Sequence, residues 1–144
     1  GMYLVDMDFS EKRLTIENIH VAVGISIFYL TILRLIYKTF NPTPNLNNSI
    51  FPGQKIIAKL NHVFLYISIL MITISGALKK LYNGEELNMF FFNLEIQDNF
   101  ELAEIFYEIH ILGNYTLIAL ISLHIFAVLI HKILFKENLL KRIL

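Results

Sequence analysis

Of 144 residues, 56% are hydrophobic and 17% charged, too apolar for an ordinary soluble domain and suited to an integral membrane protein. The formal net charge is zero, so the basic surface that nucleic-acid binding needs is absent. There is no cysteine, which excludes disulfides, iron–sulfur ligation, thiol catalysis and thioether-linked cofactors; five histidines carry what metal chemistry there is.

Residues 1–18 are mixed in character. Asp6, Asp8, Glu11, Lys12, Arg13 and Glu17 forbid a spanning segment there, and Ser10 or Asp8 is suited to cap a short surface helix. No basic start, apolar run and small-residue cleavage site marks a secretory signal. The first predicted span covers about 19–37, with His20 near its start, Gly24 one turn later and Arg34 near its end. Asn41-Pro42-Thr43-Pro44-Asn45, then Pro52-Gly53, break the helix into a loop. A second span is predicted at about 60–78, opening on His62 and closing on Gly76, with Lys79 and Lys80 at the interface.

The following loop, 81–104, is acidic and carries an Asn83-Gly84 turn signal. Its Met89-Phe90-Phe91-Phe92 run is too short to span and is expected at the interface or against the helices. The third span, about 109–135, is long enough to cross a bilayer yet holds His110, His124 and His131. A spacing of 14 residues separates two side chains by about 21 Å along a helix and returns them to within about 40° of one direction. Seven residues return to within about 20°. The three imidazoles therefore form one stripe, and polar groups inside a membrane are costly and usually functional. A basic tail, 136–144, is expected to lie as an interfacial helix. The whole chain reads as one membrane domain.

Basic residues set the orientation. Arg34, Lys38, Lys55 and Lys59 lie at and between the first two spans, and Lys132, Lys136, Lys141 and Arg142 at the C-terminus; these regions are expected to be cytoplasmic, with the N-terminus and acidic loop outside. Lys79 and Lys80 oppose this as a minority. His20 and His110 then share the outer level, while His62 and His124 lie towards the inner side and His131 at the inner exit. A b-type haem takes two neutral imidazoles from different helices, and two stacked haems need levels roughly 20 Å apart on one helix, as His110 and His124 supply. Gly24 and Gly113 leave room for a porphyrin to approach the backbones. Arg34, 14 positions from His20, shares its face, reaches the inner level and needs an anionic partner, such as a propionate. Three rivals remain at this stage. Zinc or copper needs three or four converging ligands, and the outer level offers the two histidines with Glu108 or Glu104. A proton path runs through Glu108, His110 and Asn114. The plainest reading makes His131 an edge residue, His62 a helix-start residue, and Tyr29, Tyr66 and Tyr115 packing and interface groups.

Several stretches carry a family likeness: Asn18-Ile19-His20-Val21 with Gly24-Ile25, Leu33-Arg34-Leu35, Pro42-Thr43-Pro44, His62 with Leu65-Tyr66, Gly76, and His110 with His124, Ala127, His131 and Lys136-Glu137-Asn138-Leu139-Leu140. In these the sequence resembles the bacterial cytochrome b561 family of four-helix, di-haem membrane cytochromes. The resemblance runs from Tyr3 onward. It implies an all-α transmembrane helical bundle, here three spans of a family four-helix bundle, in the bacterial inner membrane. It implies haem b as cofactor, with His20 and His110 matching the outer ligands and His124 one inner ligand. The family's other inner ligand lies on a first helix that this sequence does not show, so the chain is expected to be a truncated form or a variant lacking that span. His62, or a helix from a partner subunit or second copy, is the expected substitute. Lys59, Thr73, Ile111 and Lys132 depart from the family pattern. The resemblance further implies an oxidoreductase role exchanging electrons with the quinone pool; some members pass electrons from superoxide to ubiquinone, others are cytochrome subunits of membrane dehydrogenases. His131 is a candidate for quinone contact or proton transfer. The alternatives are a remnant membrane subunit without redox activity, and a metal-binding or transport protein.

Overall fold

The computed structural model describes residues 7–41 and 53–134, without the side chains of 54, 55, 131, 132 and 134. The proline loop, the basic tail and the side chains of His131 and Lys132 lie outside the described residues. Three helices carry the fold: α1 (Glu11–Phe40), α2 (Gln54–Tyr82) and α3 (Phe100–Leu134). A two-stranded antiparallel hairpin, β1 (Leu87–Asn88) and β2 (Asn93–Leu94), sits between α2 and α3 in the chain.

Each helix outruns its predicted span, because nothing at the membrane edge stops a hydrogen-bonded ladder. Helix α1 begins where Ser10, in extended conformation, accepts a bond from the Arg13 amide at 3.2 Å. An N-cap of this kind satisfies a donor that the helix leaves orphaned, and Glu11 in the first turn complements the helix dipole. The surface helix expected in 1–18 is thus continuous with the first span. Helix α1 closes at Asn41, whose amide bonds to the Tyr37 carbonyl, one residue before a proline that disfavours helical backbone. Helix α2 closes on Asn83 and on Gly84, which at φ +78° adopts the left-handed conformation the turn requires. Asn99 opens α3: its side chain accepts from the Leu102 amide at 3.1 Å, while its own amide donates to the Tyr82 carbonyl at 2.9 Å. The end of α2 is so tied to the start of α3, and the stacked rings of Tyr82 and Phe106 reinforce the joint.

All three helices are long and apolar enough to cross a membrane. At 1.5 Å per residue even the shortest exceeds the ~30 Å of a hydrocarbon core. Few side chains are buried by the protein itself: Ile25, Ile72, Leu81, Leu87 and Ala103 among the apolar ones. The remaining apolar faces, including Leu30, Leu33, Ile67, Leu112 and Phe126, stay exposed, as expected where lipid is the solvent. Lipid tails are as apolar as leucine, so helices in a membrane associate through close packing and polar contacts. Helix α3 packs along α2, α1 packs more sparsely on α2, and α1 scarcely meets α3. The space left between α1 and α3 positions the site.

Candidate functional site

The three helices enclose a cavity of about 750 Å³, within the size range of cofactor pockets. His20 and Gly24 of α1, Thr73 and Gly76 of α2, and His110 and Asn114 of α3 line it. Arg13, Glu17, Lys79, Lys80 and Glu104 surround its end nearest the hairpin. The rings of His20 and His110 face each other there, with centroids 6.1 Å apart and planes perpendicular.

His110 is held from α2. Its Nδ1 lies 2.9 Å from the Ile72 carbonyl oxygen. A carbonyl only accepts, so Nδ1 carries the proton and Nε2 presents its lone pair. That contact needs the absence of a side chain at Gly76, where a Cβ would stand 2.9 Å from His110 Cε1 and 3.0 Å from Nδ1. Gly76 drew attention in the sequence only as a member of a motif; its role as the seat of the imidazole depends on which helix faces it. The two glycines expected to admit a porphyrin divide. Gly24 borders the cavity with no atom within 4 Å of a hypothetical Cβ. Gly113 does not serve this purpose: a Cβ there would meet Ile72 Cγ1 at 2.8 Å and Met71 Cε at 3.1 Å, so this glycine lets α3 pack on α2.

Fourteen residues along α3, a second pair forms. His124 and His62 lie with ring centroids 5.3 Å apart and planes at 62°. Asn61 Nδ2 is 2.8 Å from His124 Nδ1. Sequence reasoning passed over Asn61, although it is polar and adjoins His62 in an apolar stretch. Nearby, Arg34 Nε donates to the Tyr66 hydroxyl at 3.0 Å, and Lys38 Nζ sits 5.2 Å from the Tyr66 ring centre. Arg34 lies at this second level, away from the cavity of the first pair, and its Nε is bonded to Tyr66. Tyr66, read as an interface group, is therefore the acceptor for an intramembrane cation. Among the described residues, no three His, Asp or Glu side chains are placed to hold one metal ion. Glu104 and Glu108 thus do not complete a zinc or copper site with His20 and His110, as the rival reading required.

A family model described as prokaryotic cytochrome b561 matches residues 1–144. The chain belongs to the prokaryotic cytochrome b561 family. It is similar to cytochrome b561 homolog 2 of Escherichia coli (strain K12), 26% identical over all of this chain and 79% of that protein. It is also similar to cytochrome b561 homolog 1 of the same organism, 28% identical over 94% of this chain and 78% of that protein.

Cytochromes b561 bind haem b, and the two histidine pairs fit that group unequally. An ion held between two imidazole nitrogens at roughly 2.0 Å each sets the ring centres about 6.3 Å apart. Rotation of either ring about the shared axis leaves this separation unchanged, so perpendicular planes are compatible with it. The 6.1 Å of His20 and His110 matches; the 5.3 Å of His62 and His124 is short. The bond from His110 Nδ1–H to a backbone carbonyl is also the partner a ligating imidazole ordinarily has, fixing its tautomer and orientation. His124 as placed accepts at Nδ1 from the Asn61 amide, which leaves its proton on Nε2.

Proposed function

We propose that this b561-family membrane protein is a one-electron carrier with His20 and His110 as the axial ligands of one haem b. The observation that carries the reading is the facing pair at 6.1 Å, with His110 oriented by Ile72. Haem b bound there supplies a reversible one-electron centre. The chain's own residues do the rest. The Ile72 carbonyl holds the His110 ring and raises its basicity, Gly24 leaves the cavity wall open for a flat ring, and Ile69, Ile72 and Ile118 give that wall an apolar lining. Arg13 and Lys79, at the charged end of the cavity, are suited to hold the propionates. Arg34, at the second level, is suited to a propionate only of a haem bound there.

The second level is a half-site on this reading. His124 reaches an iron only if Asn61 turns its carbonyl towards Nδ1 and the His62 ring moves away, or if a ligand comes from a helix of a partner subunit or second copy. The electron partner on this reading is the quinone pool, and the orientation is N-terminus outside and C-terminus cytoplasmic in the bacterial inner membrane. The excess of Arg34, Lys38, Lys55 and Lys59 at the His62 end supports that orientation.

The test is haem stoichiometry by pyridine haemochrome on protein purified with ample haem supply. One haem per chain with a sharp reduced α band is expected, lost in His20→Ala and in His110→Ala. A colourless protein, or full haem retention by His110→Ala, overturns the assignment.

A further inference from the structure

The hairpin between α2 and α3 turns back along the helices instead of standing clear of them. Leu87 is buried against Ile25 of α1 and Leu81 of α2, and Met89 packs on the same cluster. The Tyr29 hydroxyl donates to the Met89 carbonyl at 3.1 Å. Tyr29 lies twelve residues below Glu17, about 18 Å along the helix, and its side chain leans back by roughly one turn, about 5 Å. On α2 the hairpin shares a small pocket with Thr73 and Ile74, five or six residues, or about 8 Å, below Lys79. Both measures put the tip roughly 8–13 Å beneath the charged ring of residues, where headgroups give way to acyl chains.

Composition agrees with that depth. Residues 87–94 read LNMFFFNL, uncharged, and are bracketed by Glu86 and Glu95. Phe90, Phe91 and Phe92 are all exposed, Phe91 by 85%, and the rings of Phe90 and Phe91 lie 6.5 and 6.1 Å from the Tyr29 ring. Three adjacent exposed phenylalanines are unusual on a water-facing surface. Phe90 holds φ +69°, a left-handed conformation that glycine or asparagine adopts at less cost in a two-residue hairpin turn. Backbone polar groups at this depth also need partners, and the tip supplies several from within. The Met89 amide donates to the Phe92 carbonyl at 2.9 Å, the Phe90 amide to Asn88 Oδ1 at 2.8 Å, and the Met89 carbonyl accepts from Tyr29.

We infer that Met89–Phe92 is a membrane-inserted aromatic wedge, clamped by Tyr29, whose phenylalanines contact lipid acyl chains just below the headgroups. The surface it extends is the lipid-facing side of α1 and α2, where Leu30, Ile67 and Ile74 are also exposed.

The chain contains no tryptophan, so Phe91→Trp creates a single fluorescent reporter at an open position. The full chain is reconstituted into phosphatidylcholine vesicles with and without bromines on the upper acyl carbons, and the intensity ratio cancels any quenching by haem. Phe9→Trp, at an exposed residue ahead of the N-cap, is the water-side reference. Blue-shifted Phe91→Trp emission, loss of intensity to the bromines and resistance to aqueous iodide are expected. Iodide quenching equal to that of Phe9→Trp overturns the wedge. So does shielding from bromine and iodide alike, which would mean that a protein surface covers the tip. Adding Tyr29→Phe is expected to reduce the bromine quenching; an unchanged ratio removes Tyr29 as the clamp.

Discussion

The molecule holds two histidine pairs, one member of each on α3 and about 21 Å apart along it, and they are built differently. At the hairpin end, His20 and His110 approach across a cavity, and a backbone carbonyl determines the tautomer. At the other end, His62 and His124 stand closer, and a side-chain amide occupies Nδ1 of His124. A carbonyl has one role; an amide side chain can present either of two atoms. On the proposed function the first pair is oriented for ligation, whereas the second pair stands in contact between its own members. Equal spacing in the sequence therefore conceals unequal preparation in space.

The strongest way to break this comparison is to delete each pair in turn. On the proposed function, His110→Ala or His20→Ala abolishes bound haem, while His62→Ala leaves the haem-to-protein ratio and the reduced α band in place. Equal loss from both ends would make the two pairs equivalent.

The glycines sharpen it next. Gly76→Val forces a side chain into the space of the His110 imidazole and is expected to cost most of the bound haem. Gly113→Val overpacks the α2–α3 seam against Ile72 and Met71, a fault that typically costs about 1–3 kcal/mol, so the apoprotein melts earlier in detergent. A Cβ added at Gly24 meets no protein atom within 4 Å, so Gly24→Val is expected to leave apoprotein melting unchanged while it narrows the cavity and lowers haem occupancy. An apoprotein equally stable with either Gly24→Val or Gly113→Val would undo the distinction between cavity glycine and packing glycine.

Asn61→Leu acts only at the second level. It removes the bond to His124 Nδ1, a net loss of about 1 kcal/mol, and is expected to lower thermal stability slightly with haem content intact. Loss of haem in this variant would show that His124 is a ligand after all.

How much of this was legible follows from the physics of each feature. Spans and histidine depths could be read because apolar length and a rise of about 1.5 Å per residue are properties of one helix at a time. His20 and His110 were paired by depth and by the family resemblance. Helix–helix facing is a property of two helices and left no comparable trace: Gly113 looked like cofactor space and proved to be packing, while Gly76 proved to be the seat of an imidazole. Arg34 was read for its charge alone, and its hydrogen bond to the Tyr66 hydroxyl on another helix left no trace in the sequence. The inward turn of the hairpin rests on contacts about sixty residues apart in the chain, Leu87 against Ile25 and the Tyr29 hydroxyl to the Met89 carbonyl.

The smallest expected effect lies at the charged end of the first site, where Lys80 pairs with Glu85 just beyond α2. Burial by itself pushes the Glu85 carboxyl up. The hydrogen bond and charge of Lys80, joined by Asn83 and Lys79, outweigh it and hold the carboxyl below its ordinary value. A depressed folded-state value means that the pair contributes stability above the ordinary carboxylate range and loses it as pH falls through the lowered value. Glu85 is 40% exposed, so solvent screening keeps the contribution within about 1 kcal/mol. Glu85→Gln is expected to lower the melting temperature slightly at pH 7 and to converge with the parent in acid, below the lowered value. A deficit that persists undiminished there would assign the effect to packing of the α2 terminus rather than to charge. Lys79 and Lys80 both border the cavity that His20 and His110 share, so the same titration followed through the haem α band asks a further question. If Lys80 is committed to Glu85 and Lys79 to a propionate, Glu85→Gln leaves the band position unchanged at pH 7. A shifted band would place Lys80 at the cofactor as well.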